Sequence, residues 1–99
     1  MEVYITNNVS GKGLWVALPK TTQELLLFLE QNQLTDNGEY QMTSLRINPL
    51  PQQECTGNLF LLNQKAIQFE YLPDGEKENL LSLAFDEGIS IEEAFYQYL

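Results

Sequence analysis

Residues Asp74 to Leu99 read DGEKENLLSLAFDEGISIEEAFYQYL, and this stretch limits the fold more than any other. It spells two short helices, each with its own start, separated by a glycine. Pro73 ends the helix before it and Asp74 is placed to cap the next. Leu80, Leu83 and Ala84 form the apolar stripe of that helix, and Gly88 stands as its C′ residue. Ser90-Ile91-Glu92-Glu93 is a capping box, after which Ile91, Ala94, Phe95 and Tyr98 share one face. Upstream, Leu59, Leu62, Ala66 and Phe69 recur at helical spacing. So little helix buries too little surface to stand alone. The spacing predicts a three-helix unit over residues 51–99 that packs on a sheet or on a partner.

The first fifty residues supply a sheet. Val3 and Ile5 alternate with Glu2, Tyr4 and Thr6, which predicts a strand. Asn7, Asn8, Ser10, Gly11 and Gly13 make a turn, and Leu14 to Leu18 read as a second strand with Trp15 and Ala17 on one face. Thr21-Thr22-Gln23-Glu24 opens a helix, and Leu25, Phe28 and Leu29 form its stripe, widened by Leu26. Tyr40 to Ile47 reads as a third strand with imperfect alternation. Asn48 to Asn58, with Pro49, Pro51 and Gly57, reads as a linker. The expected class is α+β: a small three-stranded antiparallel sheet with one helix (β-β-α-β, residues 1–50), followed by an acidic three-helix unit (51–99).

Charge is distributed unevenly. From Glu70 to Leu99 eight acids (Glu70, Asp74, Glu76, Glu78, Asp86, Glu87, Glu92, Glu93) face one base, Lys77. The first 69 residues hold six acids and four bases, so most of the net −9 sits at one end. A chain of pI near 4.1 is repelled by DNA, RNA and anionic membranes. It suits a basic protein surface, such as one built to hold nucleic acid. Eleven aromatics separate it from disordered acidic tails. Cys55 is alone, which leaves no internal disulfide. No signal-like segment opens the chain, and its longest apolar run, Leu25 to Leu29, is too short to span a bilayer. The expected location is cytoplasmic.

Catalytic constellations are absent from the pattern. There is no His, hence no Ser-His-Asp or Cys-His pair and no imidazole ligand. Cys55 has no basic neighbour to lower its pKa, and Glu54 beside it acts in the other direction. Gly11-Lys12-Gly13 lacks the spacing of a phosphate loop, and Asp74-Gly75-Glu76-Lys77-Glu78 lacks that of a calcium loop. Glu92 and Glu93 fit the first turn of a helix, where the dipole favours acids. Trp15 is read as an anchor between sheet and helix, and Tyr96 as an exposed residue beside the acids. No enzyme activity, cofactor or metal is expected.

Several short motifs coincide with one family. Val3-Tyr4-Ile5-Thr6-Asn7, Gly13-Leu14-Trp15, Leu18-Pro19 and Glu39-Tyr40 occur in order. Leu80-Leu81-Ser82-Leu83, Glu87-Gly88 and Ser90-Ile91-Glu92-Glu93-Ala94 follow. With these the chain resembles the N-terminal and middle domains of ArdA-type antirestriction proteins of conjugative plasmids and transposons. Where that family tends to carry an Asp and a Glu, in its third strand and the loop after it, this chain reads Thr43-Ser44-Leu45-Arg46. The family's third domain, with its dimer contacts and much of its acidic surface, has no counterpart in these residues.

The resemblance implies a DNA mimic. The eight acids from Glu70 to Glu93 would occupy the DNA groove of a type I restriction–modification complex. Duplex DNA carries about one charge per 1.7 Å, so nine net charges match roughly 15 Å of it. Reversal of Asp86, Glu87, Glu92 and Glu93 to Lys is expected to abolish binding without unfolding the protein. The alternative is a small accessory or adaptor protein of a mobile element. It would bind another protein through the apolar or aromatic part of the helical unit, Phe95 or Tyr96 included. The oligomeric state is left open.

Overall fold

The computed structural model describes residues 1–99. Its elements run β1 (Glu2–Asn7), β2 (Gly13–Ala17), α1 (Thr22–Gln31), β3 (Tyr40–Arg46), β4 (Gln53–Glu54), α2 (Leu59–Glu70), α3 (Asp74–Glu87) and α4 (Ile91–Tyr98). The class is α+β, with a four-stranded antiparallel sheet in the order β2-β1-β3-β4 and four helices.

Period-2 alternation in β1 buries Val3, Ile5 and Asn7 and turns Glu2, Tyr4 and Thr6 to the other face. In β2 the buried residue is Val16. Trp15 is therefore on the outer face, not the expected anchor between sheet and helix. There it lies 5.3 Å from the Tyr4 ring and beneath the Arg46 guanidinium, 3.9 Å from the ring centre. Arg46 is held in turn by Glu2 at 2.9 Å.

The imperfect alternation of the third strand has a local cause. Tyr4 pairs with Ser44 but Ile5 with Met42, so Thr43 is an extra residue, a bulge. The bulge lets Met42 and Leu45 both point inward. The carbonyl of Thr43 accepts from the Cys55 N–H at 3.1 Å, which draws the following segment onto the sheet. Thus the expected linker contains a fourth strand. Gln53 and Glu54 pair with Leu45 and Ser44, and three strands become four.

The helices cover the sheet's inner face. A single cluster of 19 buried hydrophobics runs from Val3, Ile5 and Val16 through Leu25, Leu62 and Phe69 to Ile91 and Phe95. Phe69 and Phe95 stack at 4.9 Å where α2 meets α4. The two buried polar residues are satisfied. Asn7 donates to the Gln33 carbonyl and to Asp36, both at 3.0 Å. Asn63 accepts from the Lys20 N–H and donates to its carbonyl, at 2.9 and 2.7 Å.

Local signals set the helix ends. Thr21 and Ser90 accept from Glu24 N and Glu93 N, as their capping boxes predict. Asn58 does the same for α2. The cap of α3 is Pro73, not Asp74, and it has no side-chain bond. Its carbonyl accepts from Glu76 and Lys77, which makes Asp74 the first helical residue. Gly88 closes α3 in the left-handed conformation, φ 68°.

Candidate functional site

The eight acids of the helical stretch fall into groups with different physical reasons for being there. Asp74 and Glu76 lie in the first turn of α3, and Glu92 and Glu93 in the first turn of α4. The positive end of the helix dipole accounts for those four. Glu70 ends α2 and has a loose contact to Lys77 at 3.9 Å. Glu78 lies mid-helix. Asp86 and Glu87 end α3, where the dipole is negative and the last turn holds no base. There a carboxylate costs about 0.3–1 kcal/mol of helix stability.

Seven of the eight are exposed; Glu92 is half-buried. Its carboxylate accepts from the N–H of Thr56 at 3.3 Å, the N–H of Gly57 at 2.9 Å and the Tyr96 hydroxyl at 3.0 Å. It is a structural latch between α4 and the loop after β4. Tyr96 is correspondingly half-buried and committed to Glu92. Burial, and then Glu92, raise its hydroxyl pKa. Cys55 is fully buried beside this latch. Burial, and next the Glu92 charge, push its thiol up to about 12. The acid that silences this thiol is Glu92, not its sequence neighbour Glu54.

The exposed acids do not form one row. Glu78 and Asp86 line a hollow with Phe85, Ser82, Pro49 and Leu50. Glu93 and Glu92 line a second hollow with Glu54, Thr56 and, again, Phe85. Phe85 is 75% exposed and forms the ridge between the two. Glu76 lies on the opposite flank of α3 in a hollow with Leu83 and Tyr98. Glu87 also belongs to that side, because it accepts from the Tyr98 hydroxyl at 2.7 Å. Glu70 lines another hollow, with Glu24, Lys20 and the exposed Tyr71.

Glu54 and Phe85 join this surface although the acidic pattern from Glu70 onward does not include them. For Phe85 a signal exists. It follows Glu78 by seven residues and Ser82 by three, so it shares their outward stripe. For Glu54 there is none, because β4 brings it there. No group of three His, Cys, Asp or Glu is placed to hold a metal ion. No helix is long and apolar enough to cross a membrane. The chain matches no family model, no curated protein and no solved structure.

Proposed function

We propose that the protein is a non-enzymatic, ArdA-like antirestriction protein. The carboxylates of its helical stretch take the place of DNA phosphates in the groove of a type I restriction–modification complex. The observation that carries this reading is Asp86, exposed at the carboxyl end of α3 on the same hollow as Glu78. Helix stability disfavours an acid there, and Asp86, unlike Glu87 with its bond from the Tyr98 hydroxyl, has no partner within the chain, which favours a use outside the fold. A groove lined by Lys and Arg supplies that use. The reach of one chain is short. Its longest dimension is 39 Å, over which duplex DNA carries roughly 23 phosphates, against fourteen acids in the whole chain.

The test is a salt-titrated competition for duplex DNA bound to a type I methyltransferase complex. Displacement at low salt that fades as salt rises supports mimicry, because exposed charge is screened. No displacement at any salt overturns it. The informative variant reverses Glu78 and Asp86 to Lys and leaves Glu87 and Glu92 in place, since Glu87 accepts from Tyr98 and Glu92 holds the loop. Each replacement adds two units, taking the net charge from −9 to −5. A base at position 86 favours the α3 dipole, so the variant is expected to keep its helices, and circular dichroism checks that it does.

Phe95 is fully buried and Tyr96 is held by Glu92, so neither is the expected contact; the exposed Phe85 instead favours a second reading, a small adaptor protein of a mobile element that binds a protein partner through the helical unit. Binding of that kind is insensitive to salt and disappears in Phe85→Ala. Mimicry has the opposite profile.

A further inference from the structure

The free edge of the sheet is β2, and the chain's own backbone decides which of its residues are unpaired. The Asn7 N–H donates to the Lys12 carbonyl at 2.8 Å, and the Leu18 N–H to the Met1 carbonyl at 2.9 Å. Bonded and non-bonded pairs alternate along an antiparallel ladder. With Val3 opposite Val16 and Ile5 opposite Leu14, the residues Lys12, Leu14, Val16 and Leu18 turn their polar backbone toward β1. Gly13, Trp15 and Ala17 turn theirs outward. Within β2 there is no charge, no proline and no register shift, the devices that usually blunt an edge.

We propose that this edge pairs antiparallel with β2 of a second copy, across a two-fold axis at Trp15. The sequence GLWVA complements itself in that register. Trp15 lies opposite Trp15 of the second copy, and Gly13 opposite Ala17. Three outward residues on each chain give about six inter-chain hydrogen bonds. The small residues on either side of the indole leave it room. Charge favours the same orientation. The acidic helices attach at the other edge of the sheet, where Ile91 N bonds Gln53 and Glu92 holds Thr56 and Gly57. The ionised groups of β1 and β3 nearest β2 are Glu2 and Arg46, paired with each other. Two chains of −9 therefore meet at the edge away from α4, in one continuous eight-stranded sheet, with the α3 and α4 acids toward both far ends; Glu24 and Glu70 lie beside the end of β2, next to Lys20. The pairing stands independently of the antirestriction reading; where both hold, it doubles the length of the acidic surface.

A strand edge and two indoles make a small interface, so the dimer is weak and depends on concentration. Salt strengthens it by screening like charges, opposite to its effect on a basic partner. Sedimentation equilibrium on the full chain, over rising concentration at low and high salt, measures the association. Emission from Trp15, the single tryptophan, reports whether this edge is what becomes buried. The expected result is a dimer that strengthens with salt, with Trp15 emission moving to shorter wavelength as it forms. Ala17→Pro removes an outward N–H that the β1 ladder does not use, and is expected to leave a folded monomer. If that variant does not fold, Ala17→Lys blunts the edge instead. A monomer at every concentration and salt overturns the pairing. So does a dimer that persists in the folded edge variant, or one that leaves Trp15 emission unchanged. DNA competition fails or succeeds separately from all of these.

Discussion

Glu92 joins the sheet's last loop to α4, and its neighbours pay the chemical consequences. Cys55 takes up its proton at about 12 in the folded chain against an ordinary value of 9.0. A thiol whose pKa is raised by folding contributes its full stability below the ordinary value and loses it as pH climbs through the folded one. Stability is therefore expected to fall between pH 9 and 12, by at most about 1.4 kcal/mol per pH unit from this group. Urea midpoints across that range, compared between the wild type and Cys55→Ala, check it; an equal slope in both would remove Cys55 as the source. Gly57 supplies a second test. A side chain there meets the Glu92 carboxylate and the Tyr96 hydroxyl, although its φ is ordinary. Gly57→Ala is thus expected to break the latch without backbone strain and to cost about 1–3 kcal/mol, read from the denaturation midpoint. None of this cluster is legible in the sequence. Cys55, Gly57 and Glu92 meet through long-range contacts, the β3–β4 pairing, the Cys55 N–H bond to Thr43 and the Gln53 bond to Ile91 N, and nothing local announces them.

At the scale of elements, start and stop signals act over three or four residues and were the most readable. Thr21, Ser90 and Gly88 all do what their spacing predicts. Ser90→Ala removes the bond to Glu93 N at 3.0 Å and is expected to cost about 1 kcal/mol, seen as a lower thermal midpoint. Because α4 contributes Ile91, Ala94 and Phe95 to the core, the loss is felt by the whole chain, and a fraying limited to α4 would contradict that. Signals that depend on a partner strand were unreadable. The strand β4 is two residues long, lies between Pro51 and Gly57, and exists because Gln53 both pairs with Leu45 and caps α4 through Ile91 N. The inward face of β2 was equally hidden. Trp15 and Val16 alternate, and only the ladder with Val3 shows that Val16 is the one buried. The acidic face was legible as composition. Its division by Phe85 into separate hollows was not, because it needs the β3–α2 segment to supply Pro49, Leu50 and Glu54.

Across the whole molecule, fourteen acids and five bases leave a net charge of −9 on a body 39 × 24 × 20 Å. At low salt that charge acts on itself, and the compact state suffers more than the expanded one. Only two ion pairs relieve it, Glu2–Arg46 at 2.9 Å and the loose Glu70–Lys77 contact at 3.9 Å. Screening weakens long-range repulsion more than it weakens a short pair, since the Debye length is about 10 Å at 0.1 M salt. Added salt is therefore expected to raise stability at pH 7. The gain should shrink toward pH 4, near the pI of 4.1, where little net charge remains to screen. Urea denaturation in sodium chloride at the two pH values measures this directly. The same salt that strengthens the fold should weaken binding to a basic groove, so both trends must appear in one protein over one salt series. A fold that weakens with salt at pH 7 would mean that short-range pairing outweighs repulsion. The acids would then be organised by contacts within the chain, leaving them unfit to stand in for a phosphate backbone.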